Sequence, residues 1–521
     1  MSAANSKRTL QAAHLLGARW HSNRYIREGV TPMTLAVECL SRRPKRSLVA
    51  LTIATGAAAS LFLGSVYADT GLPSLVPQQV SGETARAAHS GPGPLFFARL
   101  LPAPATLSDG AWDMPQPGQA RWRLLVQSPG AKSLSLELAR FSGAPDAHLY
   151  LRHPLTDVTQ GPYTLDDVNA DGTMSTAMVF GDQAIIEVLL PASQRADLVL
   201  DIEGVMHGHR DIRKIQENFG ESQSCNIDVA CPQGDAWRQQ IRSVVGLTFR
   251  VGTEGAFCTG NLTNNTRQDG APLVLTAHHC LLRANNAGTV VAYWNFEREA
   301  CFCGQPRDLT ESDNGAQLLS THELSDHTVI LLDDRPSLAV NAFYTGWDAT
   351  GDPVNEGASI HHPSGDVKKI SLFTEPLTKR GIEIDRQNAE VWQVIWRQGT
   401  TEQGSSGSGI WNANGRMVGV LFGGRASCST QEEPDFYGRL EVGWDGGGTP
   451  DSQVRAHLDP DSSGTLKLDG FDPKPDPEPE PRRDCPEGSG NNGGGSWWAP
   501  ALLFGAWWRR RSTCRGASTS A

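Results

Sequence analysis

Three short stretches of the chain carry residues that could do chemistry together. In Gly404-Ser405-Ser406-Gly407-Ser408-Gly409 a serine stands among glycines, just ahead of the apolar pair Ile410-Trp411. Glycine lets the backbone turn tightly, so the Ser406 hydroxyl can stand outward while the N–H groups of Gly404 and Ser406 converge on one point, the outline of a hole for an oxyanion. A serine hydroxyl is a poor nucleophile at neutral pH and needs a base beside it, a role that suits histidine. His278 and His279 end the apolar run Leu273-Val274-Leu275-Thr276-Ala277, and Ser325-Asp326-His327 opens the run Thr328 to Leu332. A carboxylate that could hold an imidazole in one tautomer therefore lies between base and nucleophile in the chain. A Gly/Ser run alone also describes a linker or surface turn. It is the order His, Asp, Ser, each at a strand end, that points to acyl transfer.

The elements that must position these residues read as short strands. Ser243 to Phe249, Leu273 to Leu275, Val290 to Trp294, Thr328 to Leu332, Val391 to Trp396 and Met417 to Phe422 are brief apolar runs with no long helical period between them. Upstream, Trp122–Val126, Ser133–Leu138, His148–Leu151, Ala184–Leu190 and Asp197–Ile202 alternate with period two between Gly, Pro and Asp turns, which predicts a small β-sandwich. The fold class is all-β throughout. Asp167-Val168-Asn169-Ala170-Asp171-Gly172 copies the first half of a calcium loop, but Met178 stands where the bidentate glutamate belongs, so a polar turn is the better reading. No metal or other cofactor is called for.

Set beside known families, Thr276-Ala277-His278-His279-Cys280 and Gly404-Ser405-Ser406-Gly407-Ser408 resemble the histidine and serine motifs of chymotrypsin-type serine proteases. Over roughly residues 220 to 465 the chain more narrowly resembles the bacterial lysyl endopeptidases, through Ser224-Cys225 with Cys231-Pro232, Ala292-Tyr293-Trp294-Asn295-Phe296, Ile360-His361-His362-Pro363 and Asp435-Phe436-Tyr437-Gly438-Arg439. The resemblance implies two antiparallel six-stranded barrels, preceded by the β-sandwich as a pro-domain. It also implies a triad of His279, Asp326 and Ser406, with Gly404 and Ser406 as the oxyanion hole. Asp313, Asp333 and Asp334 are rival carboxylates, but only Asp326 begins an apolar strand at the matching position, while His278 and His361-His362 read as structural. Asp435 takes the place of the aspartate that selects lysine, with Phe422, Gly423 and Gly424 lining the same subsite. Disulfides Cys225–Cys428, Cys231–Cys301 and Cys258–Cys280 are implied as well; Cys303 could instead take Cys231, or pair with Cys485. Zinc at Cys301-Phe302-Cys303 is disfavoured by the spacing.

Two departures from the family pattern carry mechanism. Ser405 stands where trypsin-like enzymes have an aspartate that pairs with a freshly cut N-terminus, so the hole here must be held another way. Phe422 replaces a histidine that stacks beside the catalytic imidazole in better-known members, and no counterpart of its tryptophan partner is evident.

At 521 residues with formal charge -11, 39% hydrophobic and 20% charged residues, the chain is an ordinary globular protein of more than one domain, and its acidity argues against nucleic acid. Its ten cysteines suit an oxidising compartment. Residues 1–68 read as a signal region whose start could be Met33, with Arg42-Arg43-Pro44-Lys45-Arg46 before an apolar stretch; a membrane anchor is the competing reading of that stretch. Residues 69–118 read as an extended lead-in, 119–219 as the β-sandwich, 220–468 as the protease region, and 469–496 as a Pro/Gly-rich spacer. Residues 497–521 resemble the GlyGly-CTERM sorting tails of Gram-negative secreted proteins. The expectation is a secreted, monomeric serine endopeptidase with peptide substrates, at most transiently held at the cell surface or outer membrane, which meets signal peptidase and a sorting protease on export. Cleavage after Lys214 would separate the sandwich. The competing reading is a catalytically silent binding or adhesion protein on the same scaffold.

Overall fold

Period-two alternation dictates strands almost everywhere, and the computed structural model, which describes residues 71–78, 93–211, 222–307, 309–384 and 387–473, is built of them. The signal region, the connector with Lys214, most of the spacer and the sorting tail lie outside the described residues. In the N-terminal half, β1 (Leu95–Thr106), β2 (Gln119–Gln127), β3 (Ser133–Ser142), β4 (His148–Arg152), β5 (Gln183–Pro191) and β6 (Val199–Gly208) form two sheets, β2-β5-β4 and β1-β6-β3. Trp122, Leu124 and Val126 of β2 share one apolar core with Leu134, Leu136 and Leu138 of β3 and with Ile186 of β5. This is the sandwich that the alternation predicts.

The sandwich begins earlier than residue 119. β1 and the strand Ala111–Gln116 fall inside the stretch read as a lead-in, whose prolines argue against strand. Pro102 is tolerated because it faces Gly204 where the β1–β6 register shifts, and a Cβ at Gly204 would lie 2.6 Å from the Leu101 carbonyl oxygen.

The C-terminal half holds β7 (Val244–Val251), β8 (Glu254–Thr263), β9 (Leu273–Ala277) and β10 (His327–Leu332) in its first sheet. Its second contains β11 (Gly357–His361), β12 (Lys369–Phe373), β13 (Gln387–Val394), β14 (Gly409–Asn412), β15 (Arg416–Gly424) and β16 (Asp435–Arg439), in the order β12-β11-β14-β15-β16-β13. Leu273, Leu275 and Val329 from the first meet Ile360, Ile370, Trp411 and Val420 from the second in a common core. The all-β expectation for this half holds, and one feature goes beyond it. The far half of β8 (Asn261–Thr263) pairs with β9, while its near half (Glu254–Phe257) pairs with β1, so the first sheet runs on into the sandwich as twelve strands. A free β8 edge would expose unpaired N–H and C=O groups; here β1 covers it. Leu95, Phe97, Leu100, Met178 and Met206 of the N-terminal half pack with Phe257, Tyr293, Phe296 and Leu309 of the other into a joint apolar core.

Cys225–Cys428, Cys231–Cys301 and Cys258–Cys280 are bonded as the resemblance implies. Cys303 is disulfide-bonded too, so of the two partners left open for it Cys231 is excluded, and Cys485 lies outside the described residues. The calcium-like stretch is a polar turn in which Thr173 N–H donates to Asp171 and the Asn169 side chain donates to the Gly288 carbonyl. Among the described residues no cluster of metal-ligating side chains occurs.

Candidate active site

β9 ends in a single helical turn, His278–Cys280, and β10 begins directly after Asp326. The two strands pair, Ala277 against His327, which brings the turn and the aspartate together. Asp326 takes φ +53°, a left-handed conformation that Asp tolerates better than most residues, and this turns its carboxylate back toward β9. One oxygen accepts from the His279 backbone N–H at 3.0 Å, the other lies 2.8 Å from His279 Nδ1. Because an ionised carboxylate only accepts, Nδ1 must carry a proton, so in the neutral imidazole the lone pair is at Nε2. Both side chains are buried, at 1% and 0% exposure. His278 points elsewhere, its Nδ1 2.8 Å from Thr321 Oγ1. Of the rival carboxylates, Asp313 accepts from Trp294 Nε1 and is pushed up to about 6 by burial. It does not reach either histidine.

Ser406 is brought to this turn by close packing. A Cβ on Gly407 would lie 2.2 Å from Thr276 Oγ1 and 2.8 Å from Ala277 N, so only glycine allows the serine loop to lie against the end of β9. Cys280 Sγ is 3.9 Å from the Ser406 carbonyl oxygen. Thr259 of β8 holds the loop from below, its hydroxyl donating to the Gly404 carbonyl at 2.8 Å and its N–H to that of Ser406 at 2.8 Å. Asn261 adds a bond from Nδ2 to the Gly407 carbonyl and accepts one from Gly409 N–H, both 2.8 Å. Gly404 has φ +93°. Among the described residues neither Gly404 N–H nor Ser406 N–H donates to another group, which leaves two free donors beside the hydroxyl.

What replaces the missing aspartate before the nucleophile is a neutral chain of hydrogen bonds. Ser371 Oγ donates to the Thr400 carbonyl at 2.8 Å, so it accepts from His361 Nε2 at 3.0 Å. His361 Nδ1 then accepts the Ser405 hydroxyl proton at 2.8 Å, and Ser405 Oγ accepts from Glu402 N–H at 3.2 Å. Burial drives His361 down to about 3, which keeps it neutral in this chain. The sequence places His361 in a motif read as structural, and gives no sign that it faces Ser405.

Asp435 is reached along β15. Phe422 packs edge-on against the His279 ring at 5.7 Å, and two residues on, Gly424 pairs with Asp435. A Cβ on Gly424 would lie 2.0 Å from the carboxylate, and one on Gly423 would meet open space. Asp435 is 1% exposed. Trp396 Nε1 and Thr401 Oγ1 each donate to one oxygen at 2.7 Å, and Ala426 N–H donates to the other at 3.2 Å. No cationic side chain of the described residues pairs with it, and burial pushes its pKa up against those three donors. Sequence reasoning missed Trp396 and Thr401, which lie more than 30 residues from Asp435 in the chain.

Residues 219–438 match the family model described as "Lysyl endopeptidase, C-terminal domain". A lysyl endopeptidase of Pseudomonas aeruginosa is 28% identical over 292 residues, covering 52% of this chain and 62% of that protein, so the chain spans less than two thirds of that relative's length. Among solved structures, the active form of an M. tuberculosis protease aligns at 18% identity and TM-score 0.29, over 44% of this chain and 88% of that one. A serine endoprotease from Yersinia pestis aligns at 17% and 0.27, over 41% and 64%. The stretch that holds His279, Asp326, Ser406 and Asp435 is thus matched by a lysyl endopeptidase domain model, and the curated relative supports the same family.

Proposed function

We propose that this chain is the precursor of an exported serine endopeptidase that cuts peptide bonds after basic residues, lysine first. The observation that carries this reading is the Asp326–His279 hydrogen bond, which holds the imidazole at the end of the strand against which the Ser406 loop packs. In the proposed mechanism His279 Nε2 takes the Ser406 proton as Oγ attacks the carbonyl carbon. The N–H groups of Gly404 and Ser406 receive the oxyanion, each worth about 3 kcal/mol. His279 then gives the proton to the leaving amine, and water hydrolyses the acyl-enzyme by the reverse path. Asp435 supplies the lysine preference. It is a buried carboxylate without a cation among the described residues, and a substrate ammonium would be the group that pairs it.

Labelling with a fluorophosphonate tests the chemistry: modification at Ser406, absent in Ser406→Ala, is expected, and correctly processed protein that does not react would favour the silent binding protein instead. A matched peptide series with Lys, Arg, Glu or Leu before the scissile bond tests the specificity, with Lys expected first and Arg second. The processing belongs to the same proposal: signal removal, release of the sandwich near Lys214, and loss of residues 497–521 after surface sorting. Terminal sequencing and intact mass of the secreted product, compared with Ser406→Ala and with a tail deletion, check each cut.

A further inference from the structure

The Ser406 hydroxyl does not bond His279. It donates instead to the backbone carbonyl of Gly93 at 3.3 Å, and His279 Nε2 is buried with no partner among the described residues. Gly93 immediately precedes Pro94 and β1, and β1 adds itself antiparallel to the near half of β8, Leu95 opposite Phe257 and Phe96 opposite Ala256. β8 continues into Cys258 and Thr259, whose groups brace the turn of His279 and the loop of Ser406. The segment from Gly93 to Phe97 therefore starts at the nucleophile and leaves it as an extended strand hydrogen-bonded to the wall of the site.

From this geometry, and resting on the protease reading above, we infer that Pro94–Phe97 occupies the leaving-group side of the substrate cleft, with Gly93 on the acyl side, and presents Gly93–Pro94 to Ser406 as a peptide bond that the site holds but does not cut. Two residue choices make the bond resistant. Pro94 is buried, and its nitrogen carries a ring carbon where an ordinary peptide carries hydrogen, so the ring crowds the imidazole that must protonate the nitrogen lone pair as the bond breaks. Gly93 has no side chain to reach the Asp435 carboxylate, so the binding energy that would drive acylation is missing. The space for a side chain nevertheless exists. A Cβ built on Gly93 meets no atom within 4 Å. The blocker is thus a strand in the register of a substrate, lacking the side chain that the pocket selects and capped by the residue that the chemistry rejects.

Both defects can be repaired in the full chain. In the double variant Gly93→Lys/Pro94→Ala, the ammonium can reach Asp435 and the scissile nitrogen carries a hydrogen. Ser406 Oγ would bond the carbonyl carbon of residue 93, the bond to the nitrogen of residue 94 would break, and the Ser406 proton would pass through His279 to that amine. Water would then release the acyl group. The expected result is a new N-terminus at residue 94, found by terminal sequencing, absent in the same variant carrying Ser406→Ala, and absent in Gly93→Lys with Pro94 retained. If the double variant stays uncut at this bond while protein freed of the N-terminal region hydrolyses a lysyl ester, the inference is wrong and the protease reading stands. Should the freed protein neither hydrolyse the ester nor label with fluorophosphonate, the protease reading falls and this inference with it.

Discussion

Two buried aspartates, Asp326 and Asp435, are treated in opposite ways. Asp326 is closed from both sides: the His279 ring N–H and the His279 backbone N–H each take one oxygen, and the carboxylate can only orient and stabilise the imidazole. Asp435 has three neutral donors and, among the described residues, no cation, so burial leaves it short of positive charge. The first is finished as built; the second is completed only by a ligand. The difference separates machinery from specificity, and substitutions at the two positions should fail differently.

The largest effect is expected at the first. Asp326→Asn should lower kcat about 10⁴-fold, because an amide that donates toward Nδ1 favours the wrong imidazole tautomer, while KM for a lysyl peptide stays near that of the parent. Steady-state kinetics decide this, and a change confined to KM would break the contrast. Next, Asp435→Ala should cut kcat/KM for Lys substrates roughly 10²- to 10⁴-fold, the several kcal/mol of an ammonium buried unpaired, with Ser406 still open to a small acylating reagent. Acid should imitate this loss. Burial raises the Asp435 pKa, so falling pH protonates it before ordinary carboxylates, and the ratio of rates for Lys over Leu substrates, in which the shared need for a neutral imidazole cancels, should fall on the acid side.

Smaller effects test what braces the serine loop and what the buried histidines contribute. His361→Gln should cost about 1 kcal/mol of stability and, by loosening Ser405, reduce kcat more than KM, as unfolding curves and kinetics can show. Burial depresses His361 and His362 to about 3 and His327 to about 4. An unfolded chain binds protons at these sites below pH 6.5 while the folded one does not, so stability is held above that pH and falls as pH drops toward 4. Each site contributes at most about 1.4 kcal/mol per pH unit. Urea midpoints from pH 7 to 4.5 measure the slope, part of which His361→Gln should remove; a flat midpoint would count against neutral buried histidines.

The strand ends carrying His279, Asp326 and Ser406 were legible in sequence because each follows or opens an apolar run bounded by its own local signal. So was the sandwich, through alternation alone. Thr259, Asn261 and His361 were not legible, since each acts through a backbone or hydroxyl partner 40 or more residues away and none breaks the local pattern. Pro94, Pro102 and Pro104 hid β1 for a different reason: proline argues locally against a strand, and only pairing with β8 and a glycine at the β6 bulge outweigh it. Phe422 was read as a departure from the family pattern, and its ring is the one packed edge-on against His279.

The joint core between the two halves has a consequence for refolding. Phe257, Tyr293, Phe296 and Leu309 bury themselves against side chains of the N-terminal half. An enzyme that shed that half would keep Cys225–Cys428, Cys231–Cys301 and Cys258–Cys280 but lose apolar partners that its own side chains pack against. Its persistence would then rest on a slow rate of unfolding rather than on a deep equilibrium well. Denatured after maturation, such a chain would regain its structure poorly unless the departed half were supplied again as a separate molecule.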